Sequence, residues 1–83
     1  MYKVVIKKTA EKALKSIPPA ERRRILRTIE MLRIRPEVGK QLSGELAGLL
    51  SLRVWPYRII YRLSSKILLV EVLKIGHRQG IYK

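Results

Sequence analysis

A chain of 83 residues builds one domain around one core, because so short a sequence buries only roughly 60% of its unfolded surface, and any functional site must lie on the outside of that core. Nineteen Lys and Arg against six acids, every one of them Glu, give a net charge of +13, spread as 11 bases and 3 acids over residues 1–35 and 8 and 3 over residues 36–83. That balance points to a polyanionic partner, nucleic acid first and an anionic membrane surface second, with a merely solvated charged surface as the plainest alternative. The absence of Cys rules out a disulfide framework and a thiolate zinc site, and apolar runs such as residues 67–70 fall far short of the ~20 residues that span a bilayer.

In chain order, residues 2–7 (Tyr2-Lys3-Val4-Val5-Ile6-Lys7) alternate with β-branched side chains and predict a first strand. They do not read as a signal peptide, so a location in the cytoplasm, where reducing conditions suit a Cys-free protein, is expected. Thr9 offers a hydroxyl cap for a short helix carrying Ala13, Leu14 and Ile17, which Pro18-Pro19 closes. Pro19 suits the first turn of a second helix, where Ile25, Leu26, Ile29 and Leu32 recur at helical spacing until Pro36 stops it. Its other face carries Arg22, Arg23, Arg24 and Arg27, which read either as solvated charge or as a binding surface.

Residues 37–48 read as loop, punctuated by Gly39, Gly44 and Gly48. Three strand-like segments follow, residues 50–54, 57–63 and 67–75, joined by short turns at Trp55-Pro56 and Ser64-Ser65-Lys66, which predicts an antiparallel meander. The order β-α-α-β-β-β gives an α+β domain over residues 1–83. Its two N-terminal helices pack on one face of a four-stranded, mainly antiparallel sheet and leave the other face available. Alternation puts Tyr57, Ile59, Tyr61 and Leu63 on the core side and Arg58, Ile60 and Arg62 on the other. The last segment is apolar on both faces and reads as a central strand.

The run Leu42-Ser43-Gly44-Glu45-Leu46-Ala47-Gly48-Leu49-Leu50-Ser51-Leu52-Arg53-Val54, followed by Tyr57-Arg58-Ile59-Ile60-Tyr61-Arg62 and then Gly76-His77-Arg78-Gln79-Gly80-Ile81-Tyr82, resembles the RelE/ParE superfamily of type II toxins. With the helical hairpin and its Ile17-Pro18-Pro19 junction, the resemblance spans nearly the whole chain. It implies a four-stranded sheet flanked by two N-terminal helices, and a concave basic face that in RelE-type members cuts mRNA in the ribosomal A site. It also implies a cognate antitoxin. ParE-type members share the fold but poison DNA gyrase and lack the nuclease residues, so the site has to decide between them.

Cleaving RNA without a metal requires a deprotonated 2′-OH for in-line attack, stabilised charge on the phosphate oxygens and a proton for the leaving 5′-oxygen. With no Asp and one His, a two-histidine mechanism is closed to this sequence, and a carboxylate-held metal has little to bind it; no cofactor is expected. What remains is Arg53, Arg58, Arg78, His77 and Tyr82. Arg53 and Arg58 flank the Trp55-Pro56 turn, so antiparallel pairing brings their guanidiniums onto neighbouring strands, where both reach one phosphate bidentately. Each also admits a plainer reading as an exposed strand charge.

The resemblance aligns Arg58 and Arg78 with arginines that hold the scissile phosphate, and Arg53 with a basic position used in substrate binding or proton transfer. It aligns Tyr82 with a C-terminal tyrosine that orients the nucleotide or moves a proton; packing at the chain end is the alternative. Histidine is the side chain that ordinarily exchanges its proton near neutral pH, so His77 fits acid or base chemistry, although a lone histidine also serves structure. If the strand runs through Gly76, His77 and Arg78 point to opposite faces. Ser51 stands where relatives often carry a lysine, which removes one candidate general base, and a C-terminal helix present in some relatives is not expected.

Trp55 either stacks on a base or covers the core. Arg53, Trp55, Arg62 and Lys74 are the expected RNA contacts. Arg22, Arg23 and Arg27 are the expected contacts of an acidic, partly disordered antitoxin in a toxin–antitoxin hetero-oligomer. Ribosome and mRNA complete the expected partners, and no membrane is expected.

Overall fold

A computed structural model describes residues 1–81. The first strand, β1 (Lys3–Ile6), runs directly into helix α1 (Lys8–Lys15), and α2 (Pro19–Met31) follows. Thr9 does not cap α1, as its hydroxyl led us to expect. Lys7 is the N-cap, with no side-chain cap bond; its N–H donates to the Val72 carbonyl and its own carbonyl receives the Glu11 N–H, so Thr9 falls inside the first turn. Pro19 opens α2 at a position where no N–H is needed. That helix ends before Pro36, because Leu32, Arg33 and Ile34 bond three residues back and tighten the last turn.

Residues 37–48 are not all loop. They contain a two-residue strand, β2 (Lys40–Gln41), and a 3-10 turn over Gly44–Leu46. The meander follows as β3 (Leu50–Val54), β4 (Tyr57–Ser64) and β5 (Leu69–His77), with a cis Trp55–Pro56 bond in the first turn and a second 3-10 turn, Ser65–Ile67, in the next. The strand order is β1-β5-β4-β3-β2, with β1 parallel to β5 and all other pairs antiparallel. The sheet therefore has five strands rather than the expected four. The missed strand is two exposed polar residues, and such a pair carries no hydrophobic alternation to reveal it. As expected, β5 is an interior strand, flanked by β1 and β4.

The helices cover one face, α1 over β5 and α2 over β3. Ala10, Leu14, Ile17, Ile25, Ile29 and Leu32 meet Leu50, Val54, Ile59, Tyr61, Val70, Val72 and Ile75 in the core. Tyr61 is fully buried yet fully satisfied: its hydroxyl donates to the Pro36 carbonyl at 2.7 Å and accepts from the Gly39 N–H at 2.9 Å. A Cβ on residue 39 would stand 2.6 Å from that hydroxyl, so the loop leading to β2 is pressed against a tyrosine that only glycine accommodates.

The opposite face is only partly open. The Leu42 N–H bonds the Leu49 carbonyl and folds the intervening loop back, and Leu46, Leu49 and Ile81 border a cavity of about 250 Å³ with Ile60, Leu73 and Lys74. Ile60 keeps 3% of its surface. A register shift leaves Leu73 as an extra residue, since Ile60 pairs with Lys74 but Tyr61 with Val72; this bulge lets Leu73 line the cavity too. No helix among the described residues is long and apolar enough to cross a membrane.

Candidate functional site

The β3–β4 hairpin sets the site. Arg53 and Arg58 are direct cross-strand partners, and Gly76 of β5 sits beside Arg58 on the same rung. Both arginines project from the face away from the helices, because their neighbours Val54 and Ile59 are core. Like charges directly opposite on a sheet are destabilising. Neither guanidinium has an ion-pair partner among the described residues, where the carboxylates that pair are Glu30 and Glu71. Beside Arg58, a cavity of about 360 Å³ is lined by Lys40, Leu42, Ser43, Leu46 and Ser51.

The turn adds further cations. The Arg78 guanidinium lies 4.6 Å from the centroid of the Trp55 ring, a cation–π contact, and the Arg78 N–H donates to the Pro56 carbonyl at 2.9 Å. Trp55 is 56% exposed, so it does not cover the core; it carries Arg78 on its surface instead. Arg24 of α2 donates to the Trp55 carbonyl and ties the helix to this turn. Sequence reading placed Arg24 on the arginine face but gave it no site role, and only the packing of α2 over β3 reveals the contact.

His77 is not on the Arg53–Arg58 face. It pairs with Tyr57, and their rings meet edge to face with centroids 6.1 Å apart on the helix side of the sheet. Tyr57 in turn bonds the Glu21 carboxylate of α2, which, with burial, raises the phenol's pKa above its ordinary value. The His77 Nδ1 accepts the Gln79 N–H at 3.3 Å, and its carbonyl accepts from Gly80 and Ile81. The histidine thus organises the turn that carries Arg78, and the sheet lies between its ring and the paired arginines.

The remaining predicted residues are dispersed. Arg62 lies about 13 Å along β4 from Arg58 at strand rise and bonds Glu71, which also pairs with Lys7, at 3.6 and 3.5 Å. Lys74 is on the open face beside Ile60 and donates to the Ile81 carbonyl at 3.1 Å. Arg22 folds back onto the Ile17 carbonyl at 2.9 and 3.3 Å, closing the C-terminus of α1, whereas Arg23 and Arg27 are exposed one turn apart on α2. Tyr82 lies outside the described residues. Among the described residues no three His or Glu side chains gather as metal ligands would.

Fold and site together define a small basic α+β domain: two helices shield one face of a mixed sheet, and the other face presents a pair of opposed guanidiniums. Known proteins of this design match over nearly the full chain. The family described as the ParE toxin of the type II toxin-antitoxin system parDE matches residues 4–82. Toxin RelG of Mycobacterium tuberculosis is 35% identical over 88 aligned residues, covering 99% of this chain and 97% of RelG. The toxin–antitoxin complex RelBE2 of M. tuberculosis contains a chain that superposes with a TM-score of 0.83 at 33% identity, covering 93% of this chain and 98% of that one. The archaeal RelE–RelB complex of Pyrococcus horikoshii OT3 gives 0.77 at 32% identity, with 95% and 97% covered. This chain belongs to the RelE/ParE superfamily of type II toxin–antitoxin toxins.

Proposed function

We propose that this toxin is a ribosome-dependent endoribonuclease that cuts messenger RNA in the cytoplasm by attack of the 2′-OH on the adjacent phosphate. The observation that carries the reading is the Arg53–Arg58 pair: two like charges held opposite one another, neither paired with a carboxylate among the described residues, are stabilised when a phosphate supplies the missing anion. Their fixed positive charge suits the pentacoordinate phosphate, whose extra charge develops only in the transition state. Arg78, held against Trp55 at the end of the same hairpin, is the third cation, and Trp55 offers a face on which a base can stack.

Proton transfer is assigned to Tyr82, with Arg53 as the further candidate; His77, on the helix side of the sheet, holds the turn that carries Arg78. Lys74 and Arg62 extend the basic face away from the reacting phosphate. A cognate antitoxin, acidic and partly disordered, is the natural counterpart of a +13 toxin in a hetero-oligomer; RelBE2 and the archaeal RelE–RelB are themselves complexes of a toxin with its antitoxin. Exposed Arg23 and Arg27 on α2 are proposed contacts, and Arg22 contributes less because its donors are held by Ile17.

Primer extension on a defined mRNA in a purified translation system tests the reading. Cuts that need ribosomes and vanish in Arg58→Ala and Arg78→Ala are expected. A second reading, non-enzymatic inhibition of DNA gyrase, is favoured by the ParE description of the matching family. It predicts growth arrest without cuts, with toxicity barely changed by the arginine substitutions.

A further inference from the structure

We infer that the cavity beside Arg58 is a second phosphate subsite, in which Lys40 binds the RNA backbone next to the phosphate held by Arg53 and Arg58. The inference rests on the nuclease reading above and extends it to a residue that no motif marks. Lys40 pairs across the sheet with Ser51, Ser51 with Ile60, and Arg53 with Arg58. Lys40, Ser51 and Arg53 therefore share the face away from the helices, and one lysine stands on the strand beside the paired arginines.

Lys40 and Arg58 line one cavity of about 360 Å³, with the Ser43 and Ser51 side chains as further lining. Two cations, with the Ser43 hydroxyl beside them, are the donors a phosphate takes, and no carboxylate of the described residues lines the space. Lys40 is exposed at the sheet edge and has no ion-pair partner among the described residues, so its ammonium is available to an anion. From Lys40 to Arg58 is two strand spacings across and two residues along, about 12 Å at the backbone. Both side chains line the one cavity, so an RNA backbone that enters it meets both cations. Lys40 also occupies the position across from Ser51, so this edge strand returns a cation to a place where β3 itself offers only a hydroxyl.

The test is equilibrium binding of a fluorescein-labelled single-stranded 2′-O-methyl oligoribonucleotide, which cannot be cleaved, titrated at several salt concentrations. Lys40→Gln is expected to weaken binding roughly tenfold, the loss of one charge-assisted hydrogen bond. The slope of log K against log salt should flatten by about 0.7, the share of one single-strand phosphate. Lys40→Arg should restore both. Equal affinity and slope in wild type and Lys40→Gln, with Arg58→Gln impaired, would overturn the subsite while leaving the paired-arginine site standing. If Arg58→Gln also bound like wild type, the nucleic-acid reading of the whole face would fail with it. Lys40-dependent binding of inorganic phosphate that left the probe in place at matched ionic strength would assign the cavity to a free small anion and overturn the RNA assignment.

Discussion

Gly39→Ala probes at once what the loop does for the fold and what it does for the site. The glycine's backbone lies outside the left-handed region, so alanine costs nothing in conformation and would ordinarily stabilise slightly through the unfolded chain. Its methyl, however, would stand 2.6 Å from the Tyr61 hydroxyl and 2.9 and 3.0 Å from two ring carbons. Tyr61 is fully buried and cannot retreat, so the loop must lift and break the 2.7 and 2.9 Å bonds to Pro36 and Gly39. Two hydrogen bonds at about 1 kcal/mol each, plus partial desolvation of a stranded hydroxyl, give a loss of about 2–4 kcal/mol. Tyr61→Phe alone should cost about 1–3 kcal/mol, and the double mutant less than the sum, because both changes break the same bonds. Urea unfolding of the four proteins measures this cycle. A loss below about 0.5 kcal/mol for Gly39→Ala, the range of an unremarkable surface change, or strict additivity with Tyr61→Phe, would refute the reasoning. Because Lys40 follows Gly39 directly, Gly39→Ala should also weaken RNA binding about as much as Lys40→Gln does.

Arg53→Ala and Arg58→Ala should each lower the cleavage rate by about 10²–10³, the usual effect of removing one transition-state donor; thermal unfolding should be unchanged or slightly raised, since each relieves a like-charge pair. Arg78→Ala should alter the fluorescence of Trp55, the single tryptophan, by removing the cation above its ring, which an emission spectrum of the folded protein checks. Raised phenol pKa values at Tyr61, from burial, and at Tyr57, from its bond to Glu21, mean that these groups favour the neutral form when folded. Their contribution is complete below the ordinary tyrosine value near ~10 and is lost as pH climbs through the raised values, so denaturation midpoints should fall only at strongly alkaline pH and less steeply in Tyr61→Phe.

The hairpin was legible because its residues obey a local rule. Alternation on both sides of a two-residue turn puts Tyr61 in the core and makes Arg53 and Arg58 neighbours, as the structure bears out. What sequence reading missed depends on contacts distant in the chain. β2 is two polar residues whose identity as a strand comes only from pairing with Leu50 and Ser51, and with it Lys40 stayed hidden in a presumed loop. The bulge at Leu73 changes which residues of β5 face the cavity, and no residue type there announces it. Arg24 looked like one of four equivalent helix arginines until α2 was docked on β3, where Arg24 meets Trp55 and Arg22 turns back to Ile17. His77 was chemically conspicuous as the lone imidazole, yet its register opposite Tyr57 sends it to the helix side, away from the paired arginines.

The central claim is that the opposed arginines stabilise attack by the RNA's own 2′-OH. Its most direct test places a single 2′-deoxy nucleotide immediately 5′ of a mapped cleavage site in a ribosome-bound message. Loss of cleavage at that site alone, with the all-ribo product ending in a 2′,3′-cyclic phosphate, is the predicted result. Undiminished cleavage of the 2′-deoxy message, or no cleavage of either message by a toxin that still arrests growth, would contradict it.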